Sequence, residues 1–361
     1  MPMVDIEKSG ARIDSAVTVF YVSFAGASVR VVADDDHVRQ QLDDEIGDFF
    51  RIESERPSSA QGPGLLLAEI RYASRAGSRP DSASERILLH EGSHSYDGRY
   101  GDLWNQPAGG RVIHSKRTGS LVTATPHDRR IVVENAAPTS GATDVRRIVR
   151  DLIFIPWLES LGAVVVHGAA VLDPSRKAVL VLGDRGAGKT TLFMSVSERG
   201  PQAALSCERI VVVPSPDGLI AFACPENISV FAGTLRSFAS TADLAGVPGD
   251  GEWQRESKIR VPWRELFARL GLHAQQSALV QRLVFPLWSS SSAPHEELSR
   301  DQIFQKLLPH IVTARDANRP DWLGWFSPRH SEATIQQMVA LDARAGTWQD
   351  IESAHRLMFE K

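Results

Sequence analysis

Apolar residues in this chain come mostly in short runs bounded by Gly, Pro, Asp, Asn and Ser, the pattern of buried strands joined by turns. Residues 17–24 and 28–32, separated by Ala25-Gly26-Ala27, read as a hairpin. Val38, Leu42, Ile46 and Phe49 then fall on one face of a predicted helix, with Asp34-Asp35-Asp36 at its start, where the helix dipole favours negative charge. That acidic run has a second reading as a metal site, against the plainer one of a solvated helix end. Further strands are predicted over 65–72 and 86–89, and a second hairpin over 120–124 and 130–134. Residues 136–143, rich in Pro, Ser, Thr and Gly, read as a domain boundary, and 144–161 as a helix bent at Pro156.

Beyond that boundary the apolar runs frame one glycine-rich loop. Residues 178–182 form a buried-strand pattern and 191–196 can begin a helix; between them stands Gly183-Asp184-Arg185-Gly186-Ala187-Gly188-Lys189-Thr190. Strand, glycine loop, Lys-Thr and helix in this order make a phosphate-binding loop. Its glycines let backbone N–H groups approach phosphate oxygens, and the following helix adds its positive end. Lys189 would pair with the β- and γ-phosphates of ATP, Thr190 would hold Mg²⁺, and Thr191 belongs to the same cradle. The alternative is a structural strand-to-helix turn that ends in Lys-Thr.

The flanks carry further signals. Residues 162–171, containing His167-Gly168, read as one strand that runs into a turn at 173–177. After the loop helix come Arg199-Gly200 and a strand over 204–213 containing Cys207-Glu208-Arg209. This order of His-Gly, phosphate loop, Arg-Gly and acidic-Arg strand resembles the catalytic domain of HPr kinase/phosphorylase and the wider group of HPr-kinase-like proteins. Some of those proteins are encoded beside lasso-peptide and other modified-peptide pathways. The resemblance spans about residues 160–290, including Lys258-Ile259-Arg260-Val261-Pro262 and Leu283-Val284-Phe285-Pro286. It implies ATP and Mg²⁺ as cofactors, and a peptide or small-protein serine as acceptor. Lys258 and Arg260 could reach phosphate or an acidic substrate, or be solvated charges at a helix entry.

The chain departs from the family at one place. Where the family carries two aspartates, the first thought to take the acceptor proton, this chain has Cys207 and Glu208. Glu208 can still approach Mg²⁺, which accepts carboxylate oxygens from either acidic residue. A thiol ionises with a reference pKa of about 8.5 and cannot simply inherit the base role, which leaves His167 as another candidate base or charge-stabilising contact. The catalytic set read from sequence is thus His167, Lys189, Cys207 and Glu208, with Thr190 and Glu208 at the metal.

Composition changes this picture little. The chain has 361 residues, 42% hydrophobic, with 40 Lys and Arg against 44 Asp and Glu. That balance gives no reason to propose nucleic acid or a membrane surface as partner. The start of the chain lacks an apolar core of signal-peptide length, and no segment approaches the ~20 apolar residues of a membrane span, so a cytoplasmic protein is expected. Cys207 and Cys224 are expected as reduced thiols rather than a disulfide. His90-Glu91-Gly92-Ser93-His94 matches the zinc-protease pattern, but Gly92 and Ser93 are poor helix formers, so a strand-to-loop segment is the favoured reading.

The expected fold is α/β: a small α/β N-terminal domain (1–138) with a possible role in acceptor recognition, a phosphate-loop kinase core of the HPr-kinase-like type (139–315), and a helical C-terminal extension (316–361). Within that extension Trp322, Trp325 and Phe326 are expected in the core, followed by a helix over 331–345; residues 289–294 read as a flexible link to a helix over 301–311. Two other functions stay open: a kinase of a small hydroxyl-bearing metabolite, and a noncatalytic nucleotide-dependent binding protein. The sequence leaves ATP over GTP and the oligomeric state undecided.

Overall fold

The computed structural model describes residues 17–59, 62–63, 65–82, 84–89, 100–184, 186–198, 203–224, 226–246, 254, 258–289, 295–312, 321–327 and 331–360. These form a mixed α/β protein of two compact units. Residues 17–44, 52–89 and 100–147 make one, and 45–51 with 148–360 the other.

The first unit is built on a nine-stranded sheet. Its order runs Arg51–Glu53, Thr18–Phe24, Ala27–Ala33, Leu65–Ala73, Arg130–Glu134, Leu121–Thr125, Arg111–Ser115, Tyr100–Asn105 and Glu85–Leu88. Leu65–Ala73 pairs in parallel with both neighbours, and the two hairpins expected from alternation are present as antiparallel pairs. Alternation also sets the core: Phe20, Val22, Val29, Val31, Ile70, Ile131 and Val133 are all fully buried. On the helix Asp36–Ile46, Val38, Leu42 and Ile46 are likewise buried. Asp34 accepts the backbone N–H of Ser74 and Asp35 that of His37, so these carboxylates serve a turn and a helix start.

Within the stretch read as a domain boundary, the helix Pro138–Arg147 begins. Proline is tolerated in a first helical turn, and the Asn135 side chain accepts the N–H of Ala137 just before it. Gly141 is required there because a Cβ would come within 2.3 Å of the Tyr72 ring. The expected bent helix over 144–161 is also different: a π-helical stretch, Ile148–Phe154, is followed by the α-helix Ile155–Ser160. Pro156 lies in the first turn of that last segment, directly behind the π-helical stretch.

The second unit is organised around the strand Ser277–Trp288. Its beginning pairs antiparallel with Gly218–Cys224, its middle pairs parallel with Ala178–Val181, and its end pairs parallel with Asp342–Trp348. From Gly218–Cys224 the sheet continues through Arg209–Ser215, Val164–His167 and Ile311–Val312; from Ala178–Val181 it continues through Ala169–Leu172, Ala203–Ser206 and His273–Ala274. The helix Lys189–Ser197 packs on Ala169–Leu172 and on the helix Ile351–Phe359.

Two single strands expected from the apolar runs are each broken in two. Residues 162–171 divide at Gly168 into Val164–His167 and Ala169–Leu172, and 204–213 divide at Cys207-Glu208 into Ala203–Ser206 and Arg209–Ser215. Each half pairs with a different neighbour. An apolar run records burial on both sides of such a step, so the step itself leaves no trace in hydropathy.

The C-terminal part is not wholly helical either. The helix expected over 331–345 spans only Glu332–Val339, Asp342–Trp348 is a sheet strand, and the helix Ile351–Phe359 follows it. The intrinsic strand preference of Asp342–Trp348 is low, but its surroundings override that preference. Arg282 Nε reaches Asp342 Oδ2 at 2.6 Å, Arg344 Nε reaches Glu297 Oε1 at 2.6 Å, and Ala343 and Trp348 are buried. The helix expected over 301–311 is the α-helix Arg300–Leu307 with a 3₁₀ turn, Leu308–His310, behind it. Residues 290–294 and the His90–His94 motif lie outside the described residues. Among those described, no helix is long and apolar enough to cross a membrane.

Candidate functional site

The glycine loop stands at the end of Ala178–Val181, a strand buried along its whole length. Gly186 and Gly188 take φ of +89° and +82°, backbone that side-chain-bearing residues rarely adopt, so the chain can turn tightly into the helix Lys189–Ser197. Lys189 folds back over the loop: its Nζ donates to the carbonyl of Gly183 at 2.7 Å and to that of Asp184 at 3.2 Å. Its pKa is lowered, first by burial, while Glu208 and Cys207 act in the opposite direction. Ala187 N–H closes the turn onto Asp184 O at 3.1 Å. Thr191 Oγ1 lies 3.2 Å from Thr234 Oγ1. Arg185 and the Arg199-Gly200 pair lie outside the described residues.

The two strand breaks deliver the remaining side chains to this loop. His167 closes Val164–His167, and its Nδ1 stands 4.0 Å from Glu208 Oε2. Gly168 donates its N–H to the Glu208 carbonyl at 3.1 Å, which holds the two breaks together. Glu208 Oε1 accepts the backbone N–H of Ser229 at 3.0 Å. Its pKa is nevertheless raised, by burial and also by the negative charge of Glu226. His167 keeps 49% of its side chain exposed, yet partial burial, then Lys189 and Arg209, pull its pKa down to about 4. It is a neutral imidazole at pH 7.

Cys207 is buried and unpaired with Cys224; both are free thiols, as the sequence led us to expect. Burial, with the nearby Glu208 charge, pushes the Cys207 thiol well above its usual range, and Thr190 lies beside its sulfur. At neutral pH it is a protonated thiol and cannot act as a base. Lys258, on the strand Lys258–Val261, is close enough to influence Lys189, Glu208 and Cys207, and its Nζ sits 4.7 Å above the Phe231 ring. Arg260 is exposed, across the ladder from Ser229.

Sequence reasoning missed several neighbours. His310 is buried near Lys189 and Asp184, which both influence its pKa. Behind His167 and Glu208 lies an ionic cluster. Arg150, 5% exposed, binds Asp151 through two hydrogen bonds at 2.7 and 2.9 Å and approaches Glu226 at 3.5 Å, while Arg209 reaches Glu226 at 3.1 Å and Asp151 at 3.8 Å. Only the charge types were visible in sequence; the partners come from separate elements of the fold.

Thr190, beside the Cys207 sulfur, and Glu208, the next residue along, carry oxygens of the kind Mg²⁺ accepts, an ion usually bound through one or two protein oxygens together with water and phosphate. The arrangement sets a lysine on a glycine-rich loop, a carboxyl group close enough to influence it, and an imidazole 4.0 Å from that carboxyl.

No protein-family model matches the chain, and no curated protein matches it. Among solved structures it is similar to the Hpr(Ser) kinase/phosphatase from Coxiella burnetii, at 17% identity over 37% of this chain and 70% of that one, with a TM-score of 0.23. At that score the likeness is distant.

Proposed function

We propose that this chain is an ATP- and Mg²⁺-dependent kinase that transfers the γ-phosphoryl group to a serine hydroxyl of a peptide or small protein. The sequence resemblance suggests a modified-peptide pathway of the lasso type as its setting. The observation that carries the reading is Lys189 braced on the Gly183 and Asp184 carbonyls within a loop whose glycines open it to phosphate, with Glu208 beside it.

In this reading the loop N–H groups and Lys189 hold the β- and γ-phosphates and stabilise charge that spreads over the γ-oxygens during transfer. Thr190 and Glu208 would hold Mg²⁺, which would supply neutralisation of phosphate charge. The acceptor oxygen attacks the γ-phosphorus, the bond to the bridging oxygen breaks to release ADP, and the acceptor proton passes to the neutral His167, not to the Cys207 thiol. Phosphoryl transfer depends mainly on positioning and electrostatics, so a weak base suffices. Lys258 fits a contact with transferring phosphate or an acidic acceptor.

The protonated Cys207 favours one reading of another class, a nucleotide-dependent binding protein without transfer. Incubating the purified chain with γ-labelled ATP, Mg²⁺ and candidate acceptors separates the readings. Label on serine supports the proposal; label on a small hydroxyl metabolite selects the metabolite kinase. Tight ATP binding with no transfer to any acceptor selects the binder.

A further inference from the structure

The end of the strand Ser277–Trp288 carries the one aromatic side chain among the large exposed hydrophobic residues described: Trp288, 57% exposed. It stands against the phosphate loop. A Cβ built on Gly188 would lie 3.3 Å from Trp288 Cβ and 3.0 Å from Trp348 Cζ2. Trp288 and Trp348 are direct partners across a parallel ladder, so the two indoles leave the sheet on the same face. One is buried and one is open.

The buried one points to a ligand. Trp348 is 2% exposed, and its Nε1 has no hydrogen-bond partner among the described residues. Its Cζ2 and Cε2 atoms are those nearest the Gly188 position, at 3.0 and 3.6 Å, so the nitrogen-bearing edge of the ring faces the loop. A buried N–H donor without an acceptor is costly, and native proteins rarely leave one. An oxygen of a ligand seated on the loop would satisfy it.

We infer that Trp288 is the stacking platform for the base of a nucleotide whose phosphates occupy the loop, with Trp348 Nε1–H donating to the same ligand. The inference rests on the phosphate-binding reading above and adds the part of the ligand beyond its phosphates. Phosphates at Gly188 leave a nucleoside the adjoining ground, and the open indole there offers a flat π-face. Stacking of this kind is indifferent to which base is present, because every base has such a face. ATP and GTP should therefore be held about equally.

The test titrates the full chain, with Mg²⁺, against ATP, GTP and inorganic tripolyphosphate by calorimetry. Trp288→Ala should weaken ATP and GTP roughly 5- to 150-fold and leave tripolyphosphate nearly unchanged, while Trp288→Phe should restore most of the loss. Equal loss for ATP and tripolyphosphate would overturn the platform, since the residue would then act only through the loop. So would unchanged ATP affinity in Trp288→Ala. A wild-type chain that binds tripolyphosphate as tightly as ATP removes the platform and leaves the loop reading standing. A wild-type chain that binds none of the three removes both.

Discussion

Gly168 donates its backbone N–H to the carbonyl of Glu208, and that bond of 3.1 Å ties together the two steps at which paired strands change partners. His167 and the Glu208 carboxylate are brought within 4.0 Å at the same place. A Cβ at Gly168 would lie 2.6 Å from the Val181 carbonyl oxygen, a backbone atom that cannot move aside cheaply. Gly168→Ala should thus destabilise the chain by about 1–3 kcal/mol, the usual range for overpacking. Denaturant unfolding checks this; an unchanged midpoint would show that the step has slack.

Lys189→Ala removes the cation that braces the loop. Charge-assisted hydrogen bonds contribute about 1.5–3 kcal/mol each, so ATP affinity should fall roughly tenfold to a hundredfold. The fold should survive, because the lost contacts are to carbonyls at the loop rim. Calorimetric titration alongside thermal unfolding separates the two effects. Loss of folding with no specific loss of affinity would make Lys189 structural.

Glu208 gives a pH dependence whose sign is fixed. Burial raises its pKa, so the folded chain holds this proton more tightly than the unfolded one, and stability is lost as pH rises through the folded pKa. In the proposed mechanism the charged form is the one transfer needs. Activity should climb with pH along an acid limb lying above the ordinary carboxylate value of about 4.3, and Glu208→Gln should abolish that limb while making the protein more stable at neutral pH. His167, with a pKa near 4, should add no titration between pH 6 and 8. A Glu208→Gln variant both fully active and no more stable would refute this assignment.

Cys207→Ser should leave folding and any transfer near wild type, since the thiol is protonated and its role is to fill space. Cys207→Asp should raise transfer by supplying a second carboxylate, at some cost in stability from placing it beside Glu208. Radiolabel transfer and unfolding midpoints measure both. A Cys207→Asp variant that binds ATP and transfers no faster would argue against a weakened aspartate pair.

Arg150 is the most deeply buried member of the ionic cluster. Arg150→Met removes one of the two guanidinium groups that approach both Asp151 and Glu226, and breaking such a buried set from one side typically costs about 3–5 kcal/mol. Urea unfolding reads this directly; a loss under 1 kcal/mol would mean that water replaces the guanidinium.

Local signals carried much of the architecture. The hairpin Thr18–Phe24 with Ala27–Ala33, the helix face of Val38, Leu42 and Ile46, and the elements either side of the glycine loop follow from alternation, helical spacing and turn residues within one window. The steps at Gly168 and Cys207-Glu208 did not, because hydropathy is the same before and after them. Residues 342–345 were read as the end of a helix, whereas Asp342–Trp348 is a strand because of partners distant in sequence. The loop residues of the site were legible as a motif. His310, Glu226 and Trp348 were not, since each reaches the loop from an element whose own sequence carries no mark of it.

That last strand has a consequence for synthesis. The glycine loop is complete by residue 190, but the indole packed against Gly188 belongs to a strand made long after the loop itself. Until residue 348 has left the ribosome and paired with Ser277–Trp288, the loop lacks one wall, and a chain stalled or cut before that strand carries the whole motif without its seat.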